Sequence, residues 1–176
     1  MKILFRIILI IVVIIALALI AALFIKKEYA IEREITINTP ADTVFNYIKF
    51  LKNQDYYSKW VMMDPAMKKS FRGTDGTTGF VYAWDGNKKA GKGEQEIKNI
   101  DEGKRLDIEI RFEKPFAGVA NTYMTTEPVA ANQTKVKWRM EGKSNYPMNF
   151  MNLFMDKMLG KDIETSLGNL KTLLEK

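Results

Sequence analysis

PMNFMNLFMDKMLGKDIETSLGNLKTLLE, residues 147–175, is the stretch of sequence that decides the fold. Its apolar residues recur every three or four positions, from Met148 and Met155 to Ile163, Leu167 and Leu174. This spacing predicts a long amphipathic helix with one apolar face. Because such a face must be buried against another element, the preceding residues have to supply an apolar surface of similar length.

Seven segments ahead of this helix are predicted β-strands, and the first of them, 31–38, shows a clear alternation of apolar and polar residues. Turn residues separate them, for example at 73–76, 85–87 and 101–103, and such short connections predict antiparallel neighbours. After the first segment, Thr39 and Pro40 have the positions of an N-cap and a first helical residue. The predicted strands are 31–38, 67–72, 79–84, 90–99, 105–112, 120–128 and 134–142.

These elements predict an α+β fold in which a curved antiparallel sheet of about seven strands wraps around the long C-terminal helix. An irregular aromatic segment, 53–64, lies between the short helix and the second strand. We expect one domain, residues 28–176, because this length is enough for a single hydrophobic core.

The N-terminus predicts a transmembrane helix over residues 3–25, within a separate segment 1–27. Arg6 is the only ionisable residue in this run, and twenty-three residues at ~1.5 Å each exceed a ~30 Å hydrocarbon core. The alternative is a cleaved signal peptide, but its apolar region is usually only ~7–15 residues long. We therefore expect a single-pass membrane protein with the lipid bilayer as partner. Lys2 and Arg6 on a very short tail favour a domain on the extracytoplasmic side.

Charge and composition exclude several function classes. Of the formal charge of +6, four charges belong to Lys2, Arg6, Lys26 and Lys27, which leaves +2 for the remainder. A domain so nearly balanced has no electrostatic footprint for nucleic acid. The absence of cysteine and histidine excludes thiolate nucleophiles, histidine bases and zinc sites of the usual kind. No cofactor or metal is predicted, and the oligomeric state is left open.

At this level the pattern resembles the START-like (SRPBCC) helix-grip superfamily, in its polyketide cyclase/dehydrase and lipid-transport branch. The resemblance covers residues 30–176 and leaves the N-terminal segment outside. It implies a cavity between sheet and helix that holds an apolar small molecule, in a superfamily that ranges from enzymes to lipid carriers. The segments that carry it are Ile35–Phe45, Tyr57–Trp60, Gly76–Gly79, Trp84–Asn87, Gly91–Ile97 and Thr134–Trp138.

The strand patterns indicate which side chains face such a cavity. On strand 90–99 the charged side chains should face the solvent, and the alternate side chains, which include Gln95, should face inward. The apolar side chains of strands 105–112 and 134–142 should face inward as well. Polar groups so sparse on an apolar wall suit ligand orientation better than proton transfer. The predicted lining residues are Trp60, Phe80, Tyr82, Trp84, Gln95, Ile108, Ile110, Tyr123, Trp138, Met151, Phe154, Met155 and Met158.

Three functions fit the sequence. The first is a membrane-anchored, non-catalytic module that binds a lipid or another hydrophobic ligand. The second is a cyclase- or dehydratase-like enzyme for an apolar or aromatic substrate, which requires at least one charged residue in the pocket. The third is a domain that binds another protein. The charged candidates for the enzyme are Asp64, Asp85, Glu94 and Arg139.

Overall fold

The computed structural model describes residues 2–176. One helix precedes a domain of seven strands, four further helices and two 3₁₀ turns. The 3₁₀ turns are Leu51–Asn53 and Met148–Met151. The helices and strands are α1 (Lys2–Ala22), β1 (Glu28–Ile37), α2 (Ala41–Ile48), α3 (Gln54–Tyr57), α4 (Lys59–Met62), β2 (Lys68–Arg72), β3 (Val81–Asp85), β4 (Lys92–Asp101), β5 (Arg105–Lys114), β6 (Gly118–Ala130), β7 (Gln133–Lys143) and α5 (Asn152–Leu174).

The seven strands form one antiparallel sheet in the order β1-β7-β6-β5-β4-β3-β2. Strands β2 to β7 are joined by successive hairpin connections, and β1 pairs with β7, with Ile31 opposite Met140. The long helix α5 packs on the inner face, where Ile163, Leu167 and Leu170 are buried. The predicted α+β, helix-grip architecture is confirmed.

Alternation along the strands separates core from solvent. On β7, Val136, Trp138 and Met140 are buried, whereas the intervening residues are partly exposed. The outer face carries ion pairs, and the densest of them surrounds Arg111, which contacts Glu94 and Glu96 on the neighbouring strand. Charged groups on this face stay hydrated while the other face supplies the core.

Two ion pairs of Arg33 hold α5 against β1. The guanidinium contacts Asp156 at 2.9 Å and Glu164 at 2.5 Å, two residues that lie on either side of Gly160. A Cβ atom on Gly160 would overlap the Arg33 guanidinium, so a glycine is needed where this side chain crosses the helix. The ion pairs raise the pKa of Arg33, since the hydrogen bonds that it donates to Asp156 and then to Glu164 stabilise its charged form.

The apolar helix α1 ends at Ala22, three residues before the predicted end of the span. At ~1.5 Å per residue its length still reaches about 32 Å. It is long and apolar enough to cross a membrane, a property shared by membrane anchors and signal sequences. Its end is held by Asn149, whose amide donates to the carbonyls of Ala22 (2.6 Å) and Ile25 (2.8 Å).

The strand register gives the sheet two ends. The end next to α1, called the anchor end, has the strand termini Glu28, Lys143, Gly118, Lys114, Lys92, Asp85 and Lys68. The opposite end, called the far end, has the termini Ile37, Gln133, Ala130, Arg105, Asp101, Val81 and Arg72.

Candidate ligand-binding cavity

A cavity of about 140 Å³ lies between the inner face of the sheet, the helices α3 and α4, and the first half of α5. Its wall includes Phe112, Met140 and Ala90 near the anchor end, but none of the buried residues Leu106, Met124 and Val136 nearer the far end. The lining residues are Gln54, Ser58, Trp60, Val61, Met67, Tyr82, Trp84, Ala90, Gln95, Ile108, Ile110, Phe112, Thr122, Trp138, Met140 and Leu159.

Two glutamines form the most polar part of the wall. The Gln95 amide donates to Gln54 Oε1 at 2.8 Å, and the Gln54 amide donates back to Gln95 Oε1 at 3.2 Å. Both side chains are buried. A reciprocal pair of this kind satisfies one donor and one acceptor of each amide without a ligand.

The two tryptophans on the wall also have hydrogen-bond partners. Trp138 Nε1 donates to Thr122 Oγ1 at 2.8 Å, and this hydroxyl donates to the carbonyl of Arg139 at 2.7 Å. Trp84 Nε1 donates to the carbonyl of Ala90 at 3.1 Å. Because these polar atoms are already paired, the wall presents mainly aromatic and aliphatic surface to an occupant.

Tyr82 is the only titratable residue on the described part of the wall. Its hydroxyl donates to Asp55 Oδ1 at 2.9 Å, and Asp55 also pairs with Lys69 at 2.8 Å. Burial, and then the hydrogen bond to Asp55, raise the pKa of Tyr82 above its ordinary value. The phenol therefore stays protonated at neutral pH and does not serve as a base.

Seven of the predicted lining residues come together on this wall. Trp60 comes from α4, β3 supplies two aromatic residues, and β4, β5 and β7 supply the remainder. The Trp60 ring meets Trp138 edge-on at a centroid distance of 5.8 Å. The seven are Trp60, Tyr82, Trp84, Gln95, Ile108, Ile110 and Trp138.

Phe80 and Tyr123 lie elsewhere. Phe80 precedes β3 and stacks on Phe71, with ring centroids 6.2 Å apart, so it fills core away from the cavity. Tyr123 is on the outer face of β6, because Thr122 and its alternate neighbours point inward. There its ring lies under the Arg105 guanidinium at 3.7 Å.

The four predicted residues at the start of the long helix also lie off the wall. The 3₁₀ turn Met148–Met151 breaks the uniform helix that the sequence predicts, and Leu159 is the residue of α5 that reaches the cavity. Met155 packs against the core beside it. Met151, Phe154 and Met158 are exposed, because the buried side of α5 is set by Ile163 and its neighbours.

Sequence reasoning missed nine lining residues, for two different reasons. Phe112 and Met140 belong to the inward rows of the predicted strands 105–112 and 134–142, and Thr122 lies on β6, so the period of two contains the signal for all three. The others lie on short helices, a loop or the long helix, where no strand period applies. These are Gln54, Ser58, Val61, Met67, Ala90 and Leu159.

The glycines Gly91 and Gly93 leave no space for an occupant. A Cβ on Gly93 would be 2.5 Å from the carbonyl oxygen of Arg111 and 2.9 Å from the Trp84 ring. Gly91 has a φ of +68° and abuts the carbonyl of Lys114. Both glycines permit close packing of β4 and its neighbours at the anchor end.

None of the charged candidates for an enzyme lines the cavity. Asp64 is buried, but its carboxylate accepts the backbone N–H groups of Ala66 (3.2 Å) and Asn87 (2.6 Å) as a loop cap. Asp85 is exposed at the end of β3, and the others form ion pairs on the outer face, Glu94 with Arg72 and Arg139 with Glu141. Residues 2–176 contain no group of three or more acidic side chains placed to hold a metal ion.

A curved antiparallel sheet closed by a long C-terminal helix over an apolar cavity defines a helix-grip domain of the START-like class. Residues 29–175 match the family model described as polyketide cyclase / dehydrase and lipid transport, and the chain belongs to that family. No curated protein matches the chain in sequence.

Solved structures with the same fold include protein CV1439 from Chromobacterium violaceum, which is 14% identical with a TM-score of 0.61. That match covers 84% of this chain and 97% of CV1439. Truncated norcoclaurine synthase from Thalictrum flavum is 10% identical with a TM-score of 0.65, over 83% of this chain and 92% of the synthase. At these identities the similarity shows the fold alone.

Proposed function

We propose that the chain is a membrane-anchored, non-catalytic binding protein whose domain, residues 28–176, holds a hydrophobic small molecule or part of a lipid. The observation that carries this proposal is the cavity wall, which is apolar and whose main polar groups already have partners inside the protein. An apolar occupant therefore gains contact without leaving buried polar atoms unpaired.

The cavity volume limits the size of the occupant. A cavity of ~150 Å³ lined by aliphatic and aromatic residues accepts benzene, whereas pockets for drug-sized ligands usually measure ~300–1,000 Å³. At about 140 Å³ the cavity fits one aromatic ring or a short alkyl segment. Met67 and Met140 on the wall have flexible, polarizable side chains that suit occupants of irregular shape.

The absence of a carboxylate, lysine or arginine from the described wall favours binding over acid–base catalysis. Tyr82 is the one titratable group there, and its raised pKa keeps it protonated. An enzyme for an aromatic substrate remains the second candidate, supported by membership of a family that includes cyclases and dehydrases in its description.

Ligand uptake by the full chain in nanodiscs tests the proposal. We expect native mass spectrometry to detect bound toluene, iodobenzene or n-pentanol, each added at saturating concentration. Ile108→Phe places a larger side chain in the cavity and should abolish uptake. Val119→Phe, on the exposed outer face of β6, is the matched control and should leave uptake unchanged. Failure of every probe to bind the unmodified chain would refute a ligand-binding role.

We also propose that α1 is retained as an anchor, with the domain on the extracytoplasmic side. The length of α1 and the tail carrying Lys2 and Arg6 support this topology. Intact mass of the protein extracted from membranes should include residues 2–27. A shorter mass would identify α1 as a cleaved signal peptide. Protease protection in sealed vesicles reports the side of the domain.

A further inference from the structure

Large apolar side chains are exposed together at the anchor end of the domain. They come from the β5–β6 connection, the β7–α5 connection and the first turn of α5, which are separate in sequence. Phe116 is 66% exposed and Leu153 is 59% exposed. We call this set the anchor-end patch; it comprises Phe116, Tyr146, Met148, Met151, Leu153 and Phe154.

The patch lies beside the point where α1 joins the domain. Asn149, within the 3₁₀ turn, donates to the carbonyls of Ala22 and Ile25. Asn152 donates to the carbonyls of Lys26 and Lys27, both at 2.9 Å. These four hydrogen bonds fix the end of α1 against the same segment that carries Met148, Met151 and Leu153.

Five lysines lie at the same end of the domain as the patch, without a salt-bridge partner among the described residues. Lys26 and Lys27 follow α1, Lys88 and Lys89 lie in the β3–β4 connection, and Lys114 ends β5. Within residues 2–176 none of these five forms a salt bridge, whereas Lys143 and Lys92 at the same end do so with Glu28 and Glu113. Exposed apolar groups and unpaired lysines at one end of a domain are complementary to a surface of hydrocarbon and anionic headgroups.

Several of the more exposed residues of the cavity wall lie toward this end. The deeply buried wall residues, such as Gln95 and Ile108, lie in the middle of their strands. The half-buried ones include Ala90 and Phe112, which lie within a few residues of the anchor-end termini of β4 and β5. Leu159 completes this border from the second turn of α5.

We propose that the anchor end docks on the surface of a bilayer containing anionic lipid, with the anchor-end patch in the interface and the cavity opening toward the lipid. This inference rests on the proposed anchoring by α1. Continuity with α1 favours a bilayer over a protein partner, because a membrane around α1 necessarily begins next to this patch. Docking also explains why apolar residues of α5 that do not face the core are exposed.

The full chain contains no cysteine, so single labels can report the position of each end. Three variants, Phe116→Cys, Val129→Cys and Val13→Cys, carry the same fluorophore in vesicles with anionic lipid and a nitroxide at headgroup depth or in the acyl chain. Val129 is 53% exposed at the far end and is the matched apolar control. We expect headgroup nitroxide to quench the Phe116 label at least about twofold more than the Val129 label.

Equal quenching at Phe116 and Val129, with the Val13 label quenched from the acyl chain, would overturn docking while the anchor stands. An unquenched Val13 label would overturn the anchor of the proposed function and docking with it. A ligand-uptake failure leaves this result unaffected, since the labels report position alone.

Charge reversal tests the role of the lysines. In the Phe116→Cys background, Lys88→Glu with Lys89→Glu should reduce the ratio of docked to undocked domains by about tenfold or more. Lys104→Glu with Lys176→Glu makes the same charge change at the far end and should leave the ratio unchanged. Equal effects of the two pairs, or equal quenching in purely zwitterionic vesicles, would refute docking on anionic lipid.

Discussion

The two ends of the sheet are built from the same strands but differ in packing: the far end has a filled core, and the anchor end borders the cavity. Along β5, Leu106 near the far end is fully buried in a filled core, whereas Ile110, four residues on and on the same face, borders the cavity. The far end also buries Ile37, Met124 and Val136. A sheet wrapped on one helix can therefore concentrate its close packing at one end and leave a ligand-sized space at the other.

Charge differs between the ends as well. Lysines predominate in the strand termini and connections of the anchor end, while the far end mixes Asp42, Asp101 and Glu102 with Lys49 and Lys104. The far end also forms the pair Lys49–Glu102, at 3.4 Å. The far end thus resembles an ordinary solvated surface, and the anchor end is suited to an anionic one.

The largest expected effect is a loss of stability on truncating a side chain of the filled core, compared with one that borders the cavity. Leu106→Ala should lower the free energy of unfolding by about 4 kcal/mol, because it creates a void in a closed core. Ile110→Ala should cost only about 2 kcal/mol, since its neighbours already border empty space. Chemical denaturation of both variants in the full chain measures the difference. A larger loss for Ile110→Ala would contradict the division into filled and open halves.

The buried amide pair should give a smaller, non-additive effect. Gln95→Leu leaves the Gln54 amide buried without its partner and should cost about 1–3 kcal/mol. Replacing both glutamines with leucine should cost less than the sum of the single changes. Urea denaturation of the three variants provides the double-mutant cycle, and strict additivity would show that the two amides act independently.

The smallest effect concerns the outer face. Hydrogen bonds from Arg72 hold the pKa of Glu94 below its usual 4.5, and those from Arg111 do the same for Glu96. Arg111→Met should therefore destabilise the domain at pH 7 by about 1 kcal/mol or less, because these groups are partly exposed.

The pH dependence of that change has a definite sign. Carboxylates with a lowered folded pKa stabilise the protein fully above their unfolded pKa, and this contribution is lost as the pH falls through the folded pKa. The stability difference between Arg111→Met and the unmodified chain should shrink below about pH 4.5. Thermal denaturation between pH 7 and pH 3 measures it, and a difference that grows on acidification would contradict this role for Arg111.

Much of the fold is predictable because the central strands β5 and β7 alternate strictly. The rows of β5 and β7 gave the inward direction of Ile108, Ile110 and Trp138 directly. Tyr123 was misplaced because β6 mixes threonine, alanine and tyrosine, so neither row is clearly apolar. In the structure Thr122 faces inward, where it accepts a hydrogen bond from Trp138 on the neighbouring strand. A contact between two strands cannot be read from the residue spacing within one of them.

The start of α5 shows a different limit. Met151, Phe154 and Met158 are apolar, and a sequence pattern assigns apolar residues to a core. In the structure the 3₁₀ turn alters the helical phase, and Asn149 within it and Asn152 after it bind the end of α1 and the residues that follow. The spacing of these apolar residues indicates that they favour an apolar environment. It does not indicate whether the core of the domain or another surface provides that environment.

The short connection between α1 and β1 affects how strongly the anchor-end patch needs to bind. Five residues, 23–27, join the two elements, and side chains of Asn149 and Asn152 hold four of the carbonyls in and beside this connection. With α1 as the proposed anchor, this connection would keep the domain within a few ångströms of the bilayer, at an effective concentration on the order of millimolar or more. On that proposal, a contact too weak to recruit a free protein would be sufficient, because the anchor already holds the anchor-end patch next to the membrane.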